Sequence, residues 1–493
     1  MGGCTMEAQT QMLIVLVGYL LFLISVGIYQ GRKTKSSKDF AIAGRQLPGW
    51  VAALSERATG ESAWALLGLP GFAFAAGLAA IWPAIGCVLG IVVAWVIFAP
   101  RLRREAEKYD ASTFVDYIAK RHPDAEKWIR ILGSLTIAFF FFFYVGAQFI
   151  GGGKTLNALF DIDPKIGMII TAMIILPYTV AGGLKSVAYT DTIQAIVMIV
   201  TLIIAPIVGI HYISTHHDVF AHSVTEALKA SGPEYSTILG GLAGSAAIIF
   251  VIAEFSWFFG YLGGMPQLSI RFMAIKDEEN AKLARNVGVA WTIIAYIGAL
   301  LIGWIGIAIF GPSGLADQEQ VMPEVMLKLF PPALAAVFIT GAVAAMLSTA
   351  DSLLILASTE LSENFLRPFV LAKDMDPRRG LTISRITTIA LGIIALIMAF
   401  IVPSDLIYTI VGYTWAGIGD TFSVIVILTL FWKKFHGKAV PPTIIAGLLF
   451  TVFWVSSGLD AKVSARLMTF IVTAIVAVVA TYAIKPENTR TGA

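Results

Sequence analysis

Long apolar stretches recur along this chain, and they constrain its fold more than any other feature. Such stretches, each of roughly 18 to 30 residues, run from near residue 12 to about residue 484. Each can cross the hydrocarbon core of a bilayer, about 30 Å thick, as a helix. Because 57% of the residues are hydrophobic and only 14% are charged, we expect an all-α polytopic membrane protein whose main partner is the lipid bilayer.

About thirteen transmembrane helices are predicted from these stretches. Of the 35 lysines and arginines, 28 lie in or beside the loops on one side of the membrane, whereas six lie on the other and Arg57 lies inside a span. The positive-inside rule therefore predicts an external N-terminus and a cytoplasmic C-terminus. The predicted spans are 12–29, 49–75, 79–103, 128–160, 164–183, 187–213, 237–264, 281–310, 332–364, 381–402, 404–431, 439–457 and 464–484.

Several classes of protein are disfavoured by what the chain lacks. Two cysteines, Cys4 and Cys87, provide neither a disulfide framework nor a Cys/His metal cluster. The GGGKT at 151–155 is not a phosphate-binding loop, because Gln148 stands where that motif needs a glycine. We therefore expect no nucleotide, no nucleic acid and no ATP-driven pump.

Two of the predicted spans combine helix-breaking residues with charges. The breakers are Gly60, Gly68, Pro70 and Gly71 in span 49–75, and Gly260, Gly263, Gly264 and Pro266 at the end of span 237–264. The charges are Glu56, Arg57 and Glu61 in the former and Glu254 in the latter. Close helix packing would explain the glycines but not the charges. We expect both helices to be discontinuous and to line a binding site, since unpaired backbone groups are tolerated in a bilayer only there.

The two broken spans are five helices apart, which is the spacing of inverted repeats in secondary transporters. The chain is predicted to divide into five parts. They are an N-terminal tail with the first outer helix (1–47), a first repeat of five spans (48–213), an external loop (214–236), a second repeat of five spans (237–435), and two outer helices with a cytoplasmic tail (436–493).

Oxygen-bearing side chains lie in two further spans. Asp191 lies within AYTDTIQ, and MLSTADSLL contains Ser348, Thr349, Asp351 and Ser352. Such oxygens are hard ligands that suit an alkali cation. The alternative is that the serines hydrogen-bond to their own helical turn.

Five short motifs make the chain similar to a known family. They are SAWALLGLPG at 62–71, FFFYVGA at 141–147, YTDTIQA at 189–195, RFMA at 271–274 and LSTADS at 347–352. From about residue 12 to 435 the chain resembles the sodium/solute symporter family, and within it the bacterial sodium/proline symporters. The resemblance implies a LeuT-like core of five plus five inverted-repeat helices. It also implies that the protein lies in the plasma membrane of a bacterium and is not an enzyme.

The resemblance also implies sodium sites. The principal site would use the backbone carbonyls of Ala58, Glu61 and Ala345 with the hydroxyls of Ser348 and Thr349. A second site, found in some members, would use Asp191, Asp351 and Ser352 together with Ser348. Na+ is the implied coupling ion.

The solute site is implied by aligned residues in the broken spans and in span 128–160. The predicted contacts are Arg57, Ser62, Trp64, Tyr144, Trp257, Tyr261 and Pro266. Aromatic walls suit a small solute body, and freed amides suit a carboxylate. Ordinary core packing is the alternative for the aromatic residues. Gly60 replaces the aspartate of the proline-transporting branch, so the identity of the solute stays open.

Three roles are possible for the charges around Arg57. They can form a structural ion-pair cluster with Glu61, in which Glu254 would tie the two broken helices together, because an unpaired buried charge is costly. Arg57 can instead bind the solute carboxylate. Glu61 or Glu254 can also titrate and couple transport to protons.

The function predicted from these features is a sodium-coupled symporter, working as a monomer, that imports a small carboxylated solute such as proline. A proton-coupled symporter, or one for another solute such as an organic acid, sugar or vitamin, shares the same features. A membrane sensor would carry a signalling domain, yet only about ten residues follow the last predicted span. A channel would need a filter motif, which is not found in the sequence.

Overall fold

A computed structural model describes residues 6–31, 37–181, 183–370, 377–402 and 406–484 of the chain. Within these ranges the regular structure is helical, and the single extended pairing is an isolated bridge between Leu47 and Ile275. The predicted all-α fold is therefore confirmed. Parts of the predicted basic loop after the first span, the start of span 404–431 and the C-terminal tail lie outside the described residues.

Within the described ranges, twelve α-helices precede residue 240 and twelve follow it. The first set is α1 (Met6–Gly31), α2 (Ser37–Ile42), α3 (Gly49–Ala63), α4 (Leu69–Ala76), α5 (Ile81–Val93), α6 (Ala99–Lys108), α7 (Phe114–Arg121), α8 (Glu126–Phe160), α9 (Pro164–Ala181), α10 (Leu184–Thr215), α11 (Val224–Ala230) and α12 (Pro233–Ser236). The second set is α13 (Gly244–Phe255), α14 (Trp257–Gly260), α15 (Pro266–Ala274), α16 (Glu278–Phe310), α17 (Val321–Leu329), α18 (Pro332–Leu361), α19 (Arg367–Phe369), α20 (Pro377–Ile401), α21 (Ile407–Thr414), α22 (Thr421–Phe431), α23 (Val440–Ser456) and α24 (Ala465–Ala483). Four π-helical turns interrupt this pattern, at Trp64–Gly68, Ala94–Phe98, Ser362–Leu366 and Trp415–Asp420.

Ten helical stretches in the described ranges are long and apolar enough to cross a membrane. The longest, Gly49–Lys108, corresponds to two predicted spans and is interrupted at Gly77, whose φ is 56°. Two shorter apolar helices, Pro164–Pro177 and Gly244–Gly260, coincide with two other predicted spans. The architecture agrees with the prediction, and the count of thirteen stays a prediction.

The first broken helix is interrupted at Ser62. This residue has φ 54° and ψ −170°, a left-handed conformation that L side chains rarely adopt. Its hydroxyl accepts a hydrogen bond from the Trp64 amide at 3.0 Å, and the side-chain oxygen of Gln148 on α8 accepts one from the Ala63 amide at 3.0 Å. Side chains thus satisfy the amides that the break frees, and the predicted discontinuity is confirmed.

The second broken helix is interrupted between Gly260 and Pro266. α14 ends at Gly260, Gly263 adopts φ 86°, and α15 begins at Pro266. The Gly264 amide donates to the Ser423 hydroxyl on α22 at 3.1 Å. This predicted discontinuity is confirmed as well.

The two broken helices are tied together where one begins and the other ends. The Leu47 amide donates to the Ala274 carbonyl at 3.1 Å, and the Lys276 amide donates to the Leu47 carbonyl at 3.1 Å. The start of α3 therefore lies beside the end of α15, as expected for inverted repeats. α3 packs against α10, α15, α16 and α18, and its residues from Ser55 to Ala63 are all buried. The predicted site residues of α3 lie at the centre of the protein.

We predict that Gly264→Ala destabilises the protein. A Cβ at this position would lie 2.0 Å from the Gly419 carbonyl oxygen and 2.3 Å from the Ser423 nitrogen, so backbone must move. Overpacking of this kind costs about 1–3 kcal/mol, and thermal unfolding in detergent measures the loss. Gly18→Ala is the matched control, because its Cβ would meet nothing within 4 Å. Equal unfolding temperatures for the two variants would contradict the prediction.

Candidate functional site

Two neighbouring hydroxyls of α18 contact the backbone of α3 just before its break. The Ser348 hydroxyl donates to the Ala58 carbonyl at 2.9 Å and lies 3.1 Å from the Ala345 carbonyl. The Thr349 hydroxyl donates to the Thr59 carbonyl at 3.0 Å. All of these residues are fully buried. The structure thus brings together four of the five residues predicted for the principal sodium site.

The fifth predicted residue, Glu61, lies at the break itself. Its carbonyl accepts a hydrogen bond from the Trp64 amide, which closes the interrupted turn. The donor set around Ser348 consists of neutral hydroxyl and carbonyl oxygens, a combination of hard ligands that suits Na+. These residues fit a sodium ion, since each hydroxyl can turn its lone pairs toward the ion and point its hydrogen elsewhere.

A buried arginine joins the residues predicted for the second sodium site. Arg271 Nη2 donates to Asp191 Oδ2 at 2.9 Å and to the Ser352 hydroxyl at 2.6 Å, and its Nε donates to the Ser55 hydroxyl at 2.8 Å. Ser55 also donates to Asp191 Oδ2 at 2.6 Å, and the hydroxyls of Thr59 and Ser352 are 3.0 Å apart. The guanidinium supplies a positive charge beside Asp191 where a cation was predicted.

Sequence reasoning missed this role of Arg271. The residue was noticed as part of the RFMA motif and counted with the cytoplasmic charges, but its side chain is buried within α15. Counting Arg271 among the cytoplasmic lysines and arginines was misleading, because Pro266 starts a new helix inside the protein and Arg271 on that helix pairs with Asp191. Asp191 Oδ1 has no hydrogen-bond partner among the described residues, and Asp351 is buried beside Ser352. The second sodium site stays a prediction.

Arg57 lies between two carboxylates of its own helix. Its Nε and Nη2 donate to the Glu56 carboxylate, and its Nη1 donates to Glu61 Oε1 at 2.8 Å. Further contacts come from Thr292 on α16, which accepts from Nη1 at 3.2 Å, and from Trp95, which donates to Glu56 at 3.1 Å. Every nitrogen of the guanidinium therefore has an acceptor, as in a structural ion-pair cluster.

The expectation that Glu254 joins the Arg57 cluster is wrong. Glu254 accepts a hydrogen bond from the Tyr408 hydroxyl and lies 3.7 Å from Arg466 Nη2 on α24. It takes these partners because it lies on α13, which ends at Phe255 before the break and packs against α5 and α24. Tyr408 reaches it from α21. The charge that links the two broken helices is Arg271, through Ser55, and not Glu254.

Aromatic rings from three segments meet beside the first break. The ring of Trp64 lies 4.7 Å from that of Trp257 and 5.9 Å from that of Tyr408, between ring centroids. Trp415 extends the cluster, since its centroid lies 4.6 Å from Tyr261 and 5.7 Å from Trp257. Three of the predicted solute residues are therefore neighbours. Tyr408 and Trp415 were missed, because aromatic residues in an apolar span carry no local signal of where they point.

The other predicted solute residues surround these rings less directly. Tyr144 is fully buried on α8, and its carbonyl accepts from Gln148, the side chain that also holds the Ala63 amide. Ser62 forms the first break and Pro266 begins the helix after the second. The structure thus connects Tyr144 to the first break through Gln148.

A cavity of about 470 Å³ adjoins the aromatic cluster between α13, α21 and α24. Glu254, Tyr408 and Arg466 line it together with Asp460 and Lys462, so that it contains charges of both signs. The guanidinium carbon of Arg466 lies 4.3 Å from the centroid of the Trp257 ring. Arg466, which lines the cavity, thus contacts the same tryptophan that contacts Trp64.

Residues 40–447 match the model of the sodium:solute symporter family. This chain belongs to that family. As a sodium:solute symporter it is a multi-pass membrane transporter of a small-molecule solute with Na+ as the coupling ion, and it is not an enzyme.

Two bacterial relatives agree with this assignment. The osmoregulated proline transporter OpuE of Bacillus subtilis is 32% identical over 452 residues, which cover 91% of this symporter and 89% of OpuE. A sodium/proline symporter of Staphylococcus aureus (strain USA300) is 32% identical over 461 residues, covering 91% and 87%.

A solved structure shows the same fold. It is a substrate-bound outward-open state of a Na+-coupled sialic acid symporter, with a TM-score of 0.79, 17% identity, and coverage of 97% of this chain and 98% of that one. The predicted LeuT-like fold is confirmed.

We predict that Ser348→Ala weakens sodium binding by this symporter. A hydrogen-bonding group that contacts a charge contributes about 1.5–3 kcal/mol, so the sodium concentration for half-maximal uptake should rise roughly tenfold or more. Ser358→Ala is the control, because Ser358 is a buried α18 serine whose hydroxyl donates to Ile355 of its own helix at 2.9 Å. An unchanged sodium dependence in Ser348→Ala would contradict the prediction.

We further predict that Arg271→Gln strongly destabilises the protein, since removing one partner of a buried ion pair costs about 3–5 kcal/mol. The additional substitution Asp191→Asn should recover part of this loss, because it removes the uncompensated charge. Thermal unfolding of the single and double variants in detergent measures both effects. If the double variant is no more stable than Arg271→Gln, the loss of stability does not come from the unpaired charge of Asp191, and the prediction is wrong.

Proposed function

We propose that this symporter imports a small carboxylated solute, an amino acid such as proline, together with sodium. The observation that carries the proposal is the contact of Ser348 and Thr349 with the α3 backbone directly before the Ser62 break. Trp64, two residues after the break, belongs to the aromatic cluster. The proposed sodium site and the proposed solute site therefore share one interruption of one helix.

This arrangement gives the two ligands a reason to bind together. A sodium ion on the carbonyls of Ala58 and Glu61 would hold the interrupted turn of α3 in place. The position of Trp64 and of the freed amides around Ser62 depends on that turn. Sodium would thus prepare the solute site, and the solute would in return strengthen sodium binding, because coupling between two sites is reciprocal.

The chemistry around the breaks supports a solute with a small body and a carboxylate. Trp64, Trp257 and Tyr261 offer ring faces and edges for an aliphatic or cyclic body. The Bacillus subtilis and Staphylococcus aureus relatives described above both carry proline in their names. Because Glu56 and Glu61 occupy the guanidinium of Arg57, we assign Arg57 a structural role. The amides at the breaks are likewise occupied by side-chain oxygens, so we assign the solute carboxylate to the sodium ion.

The remaining parts of the proposal concern topology and assembly. The division into repeats at 48–213 and 237–435 follows the two breaks. The lysine and arginine distribution supports an external N-terminus and a cytoplasmic C-terminus in the plasma membrane of a bacterium. We propose that one chain works as a monomer and without nucleic acid. Transport would need no nucleotide, because inward sodium movement supplies about 2.3 kcal/mol per charge for each 100 mV.

Uptake of radiolabelled proline into proteoliposomes tests the proposal. We expect uptake with an inward sodium gradient, loss of uptake without it, and competition by unlabelled proline. A panel of unlabelled amino acids, organic acids and sugars tests specificity, since Gly60 departs from the proline-transporting branch. Ser348→Ala serves as the matched variant with impaired sodium dependence. Sodium-driven uptake of a different solute would overturn proline as substrate, and uptake driven by a pH gradient without sodium would overturn sodium coupling.

A further inference from the structure

A fully buried carboxyl group lies at the end of the π-helical turn Trp415–Asp420. Asp420 has no exposed surface, and neither of its carboxyl oxygens has a hydrogen-bond partner among the described residues. The hydroxyl of the next residue, Thr421, is likewise buried without a partner in the described part of the chain. Buried polar groups are normally paired, so this one calls for a physical explanation.

Among the described residues, no basic side chain on the neighbouring helices forms an ion pair with Asp420. The turn packs against α8, α14, α21, α22, α23 and α24. Four of these, α14, α21, α22 and α23, contain no Asp, Glu, Lys, Arg or His, and the charged residues of α8 lie near its two ends. The titratable groups left on these elements are the tyrosines Tyr144, Tyr408, Tyr413 and Tyr482, with Tyr261 in the adjoining turn.

Arg466 on α24 is the one basic side chain facing this region in the described structure, and it is already engaged. Its Nε donates to the Ser256 hydroxyl at 3.2 Å, and its Nη2 donates to the Ala253 carbonyl at 3.2 Å. It also pairs with Glu254 and covers the Trp257 ring. An ionised Asp420 would thus be an unpaired charge inside the membrane, which is costly, whereas the neutral acid is not.

The same turn touches the aromatic cluster and the second break. Trp415, at its start, contacts Trp257 and Tyr261 and donates from its indole nitrogen to the Trp257 carbonyl at 3.0 Å. At its end, a Cβ on Gly419 would lie 3.0 Å from the Gly260 Cα, so the two backbones are in close contact. π-helical turns are frequent at functional sites, and this one joins the proposed solute site to Asp420.

We propose that Asp420 is an intramembrane protonation site, which holds a proton in this conformation and makes transport depend on pH. The proton adds to a carboxylate oxygen to form the neutral acid and returns to water as a hydrated proton when the turn moves. Binding of the proton therefore favours the conformation described here, and raising the pH opposes it. The transport consequence rests on the proposed symport, whereas the protonation itself does not.

Infrared spectroscopy of the purified protein in lipid tests the protonation without any transport. A protonated carboxylic acid has a carbonyl stretch that a carboxylate lacks and that a carboxamide shows at a different frequency. We expect this band to be weaker in Asp420→Asn than in the wild type at the same pH. It should be unchanged in Asp161→Asn, where an exposed aspartate caps α8 in the left-handed conformation that asparagine tolerates. Asp420→Ser is a second variant that removes the acid if Asp420→Asn fails to accumulate. An unaltered band in these variants overturns the proposal.

Sodium-dependent uptake of radiolabelled proline at a series of pH values tests the transport consequence. One bound proton changes an equilibrium by at most about tenfold per pH unit, so wild-type uptake should fall by up to that factor per unit as the pH rises. At every pH tested, the Asp420→Asn variant should show the uptake that the wild type shows at acidic pH, because the amide imitates the neutral acid. If uptake depends on pH in the same way in the wild type and in Asp420→Asn, the proposed link between Asp420 and transport is overturned. Absence of proline uptake in the wild type is a failure of the proposed substrate alone, and the infrared result then decides the role of Asp420.

Discussion

A broken helix in a bilayer exposes amides and carbonyls to a medium that has no water to bind them, and the whole arrangement of this protein depends on meeting that constraint. At the first break the partners are Gln148 from α8 and the hydroxyl of Ser62 itself. At the second, Ser423 from α22 accepts the freed amide of Gly264. Helices distant in sequence are thus held around the breaks, and the sodium:solute symporter obtains a polar centre inside an apolar body.

Buried charges in this centre are arranged in groups that nearly balance. Arg57 faces Glu56 and Glu61, Arg271 faces Asp191, and Arg466 faces Glu254. A lone charge is costly in a membrane. The first group lies within α3, whereas the other two link α15 to α10 and α24 to α13. Asp420 departs from this pattern, because no cation in the described part of the chain forms an ion pair with it, and that departure is the reason to assign it a proton.

Much of the site was predictable because its signals are local. Two clusters of glycine and proline predicted the breaks, and a serine next to a threonine in α18 predicted the hydroxyls that meet α3. Long-range partners were not predictable in the same way. Arg271 looked like a loop charge and Glu254 like a partner of Arg57, since a span pattern does not say which helix a side chain faces or how far along the membrane normal it lies.

The sequence by itself determined that the chain is an all-α membrane protein, which two of its spans are broken, and which polar residues lie within the spans. These properties follow from hydropathy and from the backbone chemistry of glycine and proline, which act over a few residues. Tertiary structure decided that Arg271 pairs with Asp191, that Trp415 contacts Trp257 and Tyr261, and that the Asp420 carboxyl has no hydrogen-bond partner among the described residues. Those facts depend on how helices that are far apart in the sequence pack side by side, and no short stretch of sequence contains that information.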